Sequence, residues 1–252
     1  MGMTKEERLR RQRERLVEMK AREAELHSQG YKYVCGVDEV GRGPLAGPVV
    51  TAAVVLPEDF SILGVDDSKK LSEKRREALY EEIIDGCIAY GIGMADHRRI
   101  DEINILQATK EAMVQAVVEC EKMLSRRVGG DVQSQASGDE IRVQTSDADM
   151  RSQATGDGGM HCDYIIFDAM KIDDLQRRQE SVIKGDSKIL AVAAASILAK
   201  VTRDRMMVEY SKEYPGYGFQ SNKGYGTAEH YRGIREQGTC PIHRLTFLKT
   251  IH

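Results

Sequence analysis

Five short stretches of apolar or alternating residues predict β-strands. Lys32 to Glu39 alternates apolar and polar side chains, and Val49 to Leu56 is almost wholly apolar and stops at Pro57. The second stretch is expected to be buried on both faces of a sheet. The remaining strands are predicted at Cys87–Ala95, Tyr164–Phe167 and Ser181–Lys184.

Helical periodicity fills the intervals between these strands. Asn104 to Leu124 repeats apolar side chains three and four positions apart, which predicts an amphipathic helix. Ile189 to Tyr210 begins with small apolar residues on all sides, so we expect this helix to be buried on most faces. Shorter helices are predicted from Ser72 to Asp85 and from Thr227 to Gln237, with Ser72 and Thr227 as N-caps. Strands interleaved with helices predict a mixed α/β sheet domain.

Two segments depart from this pattern. Residues 1–30 mix Lys, Arg and Glu with few apolar side chains, which predicts a charged accessory helix at the N-terminus. Residues 125–160 are rich in Gly, Ser, Gln and Asp and show no periodicity, which predicts a disordered insertion. The catalytic domain is therefore expected to span residues 31–250, interrupted by this insertion.

Composition favours a globular protein over a membrane or disulfide-rich one. The 252 residues are 41% apolar, enough for one sizeable core. No stretch approaches the ~20 apolar residues of a membrane span, and the charged N-terminus does not resemble a signal peptide, so we expect a cytoplasmic protein without membrane contact. The 5 cysteines form no C-x-x-C pair, which favours buried thiols over a zinc site or a disulfide framework.

Acidic residues in two distant blocks of the sequence are the candidate catalytic or metal-binding residues. Asp38 and Glu39 end a predicted strand, Asp168 closes another, and Asp186 lies between lysines before the alanine-rich helix. Each acid alone has an ordinary explanation, such as a strand end, a turn or a helix cap. Together, oxygen ligands without histidine favour Mg²⁺ or Mn²⁺, and two such ions could activate water against a phosphodiester.

Basic and aromatic residues suggest a polyanionic ligand. Lys and Arg outnumber Asp and Glu by 11 to 6 between Lys184 and Lys249. The stretch from Tyr214 to Thr227 interleaves aromatic rings with Gly and Lys, a composition typical of stacking on sugars or bases. A glycine-rich turn with packed tyrosines is the alternative interpretation.

These blocks together resemble the ribonuclease HII family. The resemblance covers residues 31–250 apart from the insertion, and it depends on the order and joint presence of the motifs. The matching stretches are Gly36–Val49, Asp67–Ser72, Asn104–Leu106, Lys184–Ser187, Ala193–Asp204 and Lys223–Thr227. It implies an RNase H-like mixed five-stranded sheet flanked by helices, with a helical C-terminal region.

The resemblance also implies an activity. Members of this family cut RNA in RNA–DNA hybrids and cut on the 5′ side of ribonucleotides embedded in duplex DNA, leaving 5′-phosphate and 3′-hydroxyl ends. We therefore expect a Mn²⁺- or Mg²⁺-dependent endoribonuclease of DNA replication and repair, monomeric and without an identified protein partner. The rival hypotheses are a DNA nuclease or resolvase on the same scaffold, and a hybrid-binding protein without catalysis.

The resemblance assigns residues to this activity one by one. It implies that four acids are catalytic and hold the metal: Asp38, Glu39, Asp168 and Asp186. It implies that the backbone of Gly41, Arg42 and Gly43 reads the 2′-hydroxyl, and that Tyr225 packs on the deoxyribose that follows. Further phosphate contacts are expected from Lys69, Ser196, Lys200 and Arg203.

Overall fold

A five-stranded mixed sheet forms the centre of the protein, as the sequence predicts. The computed structural model describes residues 4–128, 160–173 and 175–249. The strands are β1 (Val34–Val40), β2 (Val49–Val55), β3 (Ala89–Ala95), β4 (Tyr164–Asp168) and β5 (Gln179–Val182). They lie in the order β3-β2-β1-β4-β5, with β1–β2 and β2–β3 antiparallel and β1–β4 and β4–β5 parallel.

Helices cover both faces of this sheet. They are α1 (Lys5–Ser28), α2 (Glu73–Gly86), α3 (His97–Val128), α4 (Leu190–Glu213), α5 (Phe219–Asn222) and α6 (Ala228–Gln237). One apolar core joins α1, α2 and α4 to one face, and a second joins α3 to the other. Every residue from Leu190 to Ala199 is buried, so the expected burial of this helix on most faces is confirmed.

Close packing between α3 and β3 depends on two glycines. A Cβ on Gly91 would lie 2.2 Å from the carbonyl oxygen of Ala116, and one on Gly93 would lie 2.0 Å from that of Ala112. No larger residue fits at either position without moving the helix. The prediction that glycines in this strand permit close packing is therefore confirmed.

Helix α3 begins earlier than the sequence predicts. The residue at the predicted start, Asn104, has a non-helical conformation (φ 69°, ψ 163°) that divides the helix in two. Its side-chain oxygen accepts hydrogen bonds from the backbone N–H groups of Leu106 and Gln107, at 3.0 and 3.2 Å. Asn104 is thus the N-cap of the long segment that the periodicity predicted, and the preceding turn was missed.

The residues on either side of the predicted insertion are in contact with each other. Helix α3 continues through residues 125–128, past the predicted boundary, and residues 129–159 lie outside the described part of the chain. The hydroxyl of Ser125 accepts a hydrogen bond from the N–H of Met160 at 2.9 Å. Because these two residues are in contact, strand β4 starts from a fixed position on α3.

The charged N-terminal segment forms a helix that packs against the sheet domain. Two apolar residues of this helix, Met19 and Leu26, are buried. Arg22 makes a two-pronged ion pair with Glu180 of β5, at 2.8 and 2.9 Å. The buried carboxylate of Glu23 accepts a hydrogen bond from the N–H of Leu190 at 3.2 Å, and so caps α4.

The cysteines are free, and four of the five are buried, in agreement with the prediction of buried thiols. The sulfur atoms of Cys35, Cys120 and Cys162 lie within 4.8 Å of one another inside the core beneath α3. Within the described ranges, none of the helices combines the length and apolar character of a membrane span.

Candidate active site

Three carboxylates converge at one edge of the sheet. Strands β1 and β4 are parallel, with Val37 paired to Phe167, so Asp38 and Asp168 follow side by side at their carboxyl ends. Asp186 lies in the short 3₁₀ turn after β5. Each of these three acids offers one oxygen within 4.8 Å of the other two, and Asp38 and Asp186 are each only 4% exposed.

The fourth predicted acid, Glu39, lies next to this group without joining it. As neighbours on a strand, Asp38 and Glu39 start on opposite faces. One oxygen of Glu39 accepts a hydrogen bond from Arg42 at 3.3 Å. The other, Oε2, is buried and has no hydrogen-bond partner among the described residues. A shared ligand role for Glu39 therefore remains a prediction.

Burial and crowding make these carboxylates hard to ionise. The pKa of Asp38 is raised well above its usual value, first by burial and then by the charges of Glu39 and Asp168. Burial also raises the pKa of Glu39 and that of Asp168. A divalent cation held by Asp38, Asp168 and Asp186 would offset this repulsion, so the donor set fits Mg²⁺ or Mn²⁺.

Neighbouring groups hold the carboxylates in place. One oxygen of Asp38 accepts the N–H of Glu39 at 2.8 Å, and one oxygen of Asp168 accepts the N–H of Gly185 at 2.8 Å. The latter bond ties the end of β4 to the turn that carries Asp186. The cluster is thus built into the ends of three neighbouring strands, on rigid elements.

Lys69 supplies positive charge at the rim. Its ammonium nitrogen lies 3.4 Å from Oδ2 of Asp186, and its side chain is 74% exposed. An exposed ammonium group beside buried carboxylates is available to a phosphate of an approaching strand. This placement supports the predicted phosphate contact.

The glycine motif and Tyr225 meet at the surface. A Cβ on Gly43 would lie 3.6 Å from Cε1 of Tyr225, and the tyrosine is 43% exposed. Gly41 has a positive φ of +93°, and its Cβ would lie 2.3 Å from Nε of Arg203. The glycine-flanked segment, which begins two residues after Glu39, therefore lies against the exposed ring of Tyr225.

Two predicted phosphate contacts need correction. Arg203 is fully buried, and its guanidinium donates to the carbonyl oxygens of three residues, Ala46, Pro48 and Lys223, at 2.8 to 3.1 Å. Ser196 is 3% exposed, bonds to Ser68 at 2.9 Å and favours the ionised form of Asp38. Both side chains therefore support the site from inside and do not reach a substrate.

The prediction for Lys200 is untested by this geometry. Its ammonium group is mostly buried and lies 2.8 Å from Oδ1 of Asp204, on the next turn of α4. Asp204 is also 4.0 Å from Arg76, so it is a helix-face acid with basic partners, as the sequence indicated.

Sequence reasoning missed three buried residues behind the glycine motif. Arg244 is fully buried and donates to the carbonyl oxygens of Gly41, Arg42 and Gly47. His230 and His243 are also buried and contact each other. A single arginine or histidine gives no local sign of burial, and only its distant partners reveal its role.

Comparison with known proteins agrees with this geometry. The family model described as Ribonuclease HII matches residues 35–137 and 133–250. Ribonuclease HII of Ruminiclostridium cellulolyticum is 45% identical over 239 residues, covering 95% of this chain and 79% of the relative. The solved ribonuclease H2 of Pyrococcus horikoshii OT3 is 26% identical, with a TM-score of 0.57, covering 85% of this chain and 93% of that one.

A second solved structure extends the likeness in fold. Ribonuclease HII of Archaeoglobus fulgidus, solved in complex with PCNA, is 23% identical, with a TM-score of 0.59 over 87% of this chain and 95% of that one. The mixed sheet and its converging carboxylates define a metal-dependent hydrolase with an RNase H-type fold. The chain belongs to the ribonuclease HII family. It is accordingly a metal-dependent endoribonuclease that acts on RNA paired with DNA.

Proposed function

We propose that this enzyme cuts on the 5′ side of single ribonucleotides embedded in duplex DNA, as well as within RNA–DNA hybrids, and leaves 5′-phosphate and 3′-hydroxyl ends. Four acids hold Mg²⁺ or Mn²⁺ in this proposal: Asp38, Glu39, Asp168 and Asp186. The observation that carries it is the convergence of three carboxylates, of which Asp38 and Asp186 are buried, together with the contact between Gly43 and Tyr225.

The carboxylates support a site that depends on a divalent ion. A bound ion would lower the pKa of a coordinated water and would offset negative charge at the scissile phosphate. The chain's own residues orient the reactants around it. Lys69 meets a phosphate oxygen, and the ends of β1 and β4 keep Asp38 and Asp168 at a fixed spacing.

The Gly41–Gly43 segment and Tyr225 support recognition of a junction between a ribonucleotide and a deoxyribonucleotide. The absence of a Cβ at Gly43 permits close approach of the backbone to a 2′-hydroxyl, the group that distinguishes RNA from DNA. The exposed ring of Tyr225 packs on the next sugar, where a 2′-hydroxyl would crowd it. The two elements are adjacent, as reading of both sides of one linkage requires.

Matched duplexes test this proposal. One DNA duplex carries a single ribonucleotide, its twin is all DNA, and a third substrate is a continuous RNA–DNA hybrid. We expect cleavage of the first and third with Mg²⁺ or Mn²⁺, and no cleavage in EDTA. End labelling checks the 5′ position of the cut and the product ends.

The same substrates separate the rival hypotheses. Equal cleavage of the all-DNA twin would favour a DNA nuclease or resolvase. Binding without cleavage in Mn²⁺ would favour a hybrid-binding protein. Asp38→Asn is expected to remove cleavage and to retain duplex binding, because an amide is a weaker ligand for a hard cation than a carboxylate.

A further inference from the structure

Two neighbouring buried residues support the Gly43–Tyr225 surface from inside the protein, one on the side of the glycine motif and the other on the side of Tyr225. His243 is 2% exposed and Arg244 is 0% exposed. They follow the last helix on a segment that pairs with the residues after the glycine motif: Arg244 N–H donates to Leu45 O, and Gly47 N–H donates to Ile242 O, both at 2.9 Å.

Arg244 fixes the glycine side. Its Nη2 donates to the carbonyl oxygen of Gly41 at 2.6 Å, and its Nη1 donates to that of Arg42 at 3.0 Å. Its Nε donates to Gly47 at 2.9 Å, so one planar guanidinium holds both ends of the loop that contains Gly43.

A chain of hydrogen bonds through two imidazoles fixes the tyrosine side. The N–H of Cys240 lies 2.9 Å from Nδ1 of His243, the two Nε2 atoms of His243 and His230 lie 3.0 Å apart, and Nδ1 of His230 lies 2.9 Å from the carbonyl oxygen of Tyr225. Nδ1 of His243 also lies 3.2 Å from the carbonyl oxygen of Cys240, but a proton on that nitrogen would leave the bond between the two imidazoles without one whenever His230 donates to Tyr225. One arrangement of a neutral pair therefore forms all three bonds. His243 carries its proton on Nε2, and His230 carries its proton on Nδ1.

Both imidazoles remain neutral under ordinary assay conditions. Burial lowers the pKa of His230, and burial lowers the pKa of His243 to about 4. The chain of hydrogen bonds therefore runs in one donor-to-acceptor direction from Cys240 to Tyr225, and no water is needed to complete it.

We propose that His230, His243 and Arg244 are positioning residues that set the spacing between the Gly41–Gly43 backbone and the Tyr225 ring, and thereby the preference for a ribonucleotide–deoxyribonucleotide junction. This inference rests on the proposed function, because it assigns the Gly43–Tyr225 surface to that junction. It adds a source of selectivity that does not touch the substrate.

Two substitutions of one residue test the inference. In His230→Asn the side-chain amide nitrogen replaces Nδ1 and can still donate to Tyr225. In His230→Gln the amide reaches the Nε2 position, towards His243, and the donor to Tyr225 is lost. The measurement is kcat/KM for the single-ribonucleotide duplex divided by kcat/KM for the continuous hybrid.

We expect the Gln variant to lose roughly tenfold in this ratio, the factor that corresponds to one hydrogen bond of typical net strength, and to approach Tyr225→Ala. The Asn variant keeps the donor to Tyr225 and loses only the bond to His243, so it should lose less than the Gln variant. His161→Gln, at a histidine whose side chain is 45% exposed, is the control. A wild-type ratio in the Gln variant, or equal losses in both variants, would overturn the inference.

Failure of the inference and failure of the proposed function give different results. A wild-type enzyme without junction preference would overturn the proposed function together with this inference. A wild-type preference that survives in His230→Gln overturns the inference alone. If the Gln variant does not fold, ¹⁵N NMR of the wild-type imidazoles decides: we expect protons on Nδ1 of His230 and Nε2 of His243, and other tautomers would contradict the chain.

Discussion

Arg15 donates a hydrogen bond from its guanidinium to the carbonyl oxygen of Ser187, 2.5 Å away and 172 residues along the chain. The same group contacts both oxygens of Asp66, at 3.2 and 3.4 Å. Ser187 shares its turn with Asp186, and Asp66 precedes Lys69 by three residues. The N-terminal helix is therefore tied to the two segments that carry a predicted metal ligand and the rim lysine.

Arg15→Ala should lower kcat/KM on the single-ribonucleotide duplex by roughly tenfold and weaken the apparent affinity for Mn²⁺, because both segments lose a shared anchor. Steady-state kinetics over a series of Mn²⁺ concentrations measures both effects. Arg13→Ala, at an exposed position on the same helix, is the control. Unchanged Mn²⁺ dependence in Arg15→Ala would exclude this role for α1.

Gly41→Ala should destabilise the fold by about 2 kcal/mol or more, since steric overlap adds to backbone strain. A Cβ there would meet Arg203 Nε at 2.3 Å and the Pro48 carbonyl oxygen at 2.8 Å. Gly30 is a matched control, because it has the same φ of +93° with nothing within 4 Å.

Gly30→Ala should cost only the strain of a left-handed conformation, about 1 kcal/mol. Urea unfolding of the two variants gives the comparison. Equal losses in the two variants would show that the buried Arg203 side chain yields to the new methyl group.

The fold was predictable because its signals are local. Alternation and helical periodicity report which side of a segment is buried, and the five strands and the long helices follow from them. The last strand lies two residues earlier than predicted, at Gln179–Val182 instead of Ser181–Lys184. The turn before Asn104 was missed because it depends on one residue with positive φ, which periodicity does not register.

The site was only partly predictable, because charge along the sequence does not reveal burial. Arg203 and Arg244 contributed to the basic count of the C-terminal half, yet both donate to backbone carbonyls inside the protein. Arg205 is likewise engaged by Glu77 and Glu81. The residues that could be named from sequence were those in motifs, such as Asp38, whereas their supporting partners come from distant segments.

Mn²⁺ should raise the melting temperature of the wild-type protein, because a ligand that binds only the folded state stabilises it by mass action, by about 2.7 kcal/mol at a hundred times its Kd. Asp38→Asn should gain much less from the ion. Without metal, the variant should be at least as stable as the wild type, since it removes one buried negative charge.

Thermal denaturation with and without Mn²⁺ measures this difference independently of activity. Asp59→Asn, at an exposed acid far from the cluster along the chain, is the control and should respond like the wild type. An equal Mn²⁺ shift in Asp38→Asn would remove Asp38 from the metal site.

Glu23 should make stability depend on pH in a direction opposite to ordinary acid unfolding. Burial raises its pKa from the usual 4.5 to about 7. The folded state therefore prefers the protonated carboxyl, and its stabilisation is full below the usual pKa and is lost as pH rises through about 7. Glu23→Gln keeps an oxygen for the N–H of Leu190 and removes this titration.

The wild type should accordingly gain about 2 kcal/mol of unfolding free energy relative to Glu23→Gln on going from about pH 8 to about pH 5. Urea unfolding across this range measures the difference, which cancels the titration of all other carboxylates. Glu14→Gln, at an exposed position of the same helix, should show no such trend. A constant difference between wild type and Glu23→Gln would mean that Glu23 is ionised beneath α1, with its charge held by the N-terminus of α4.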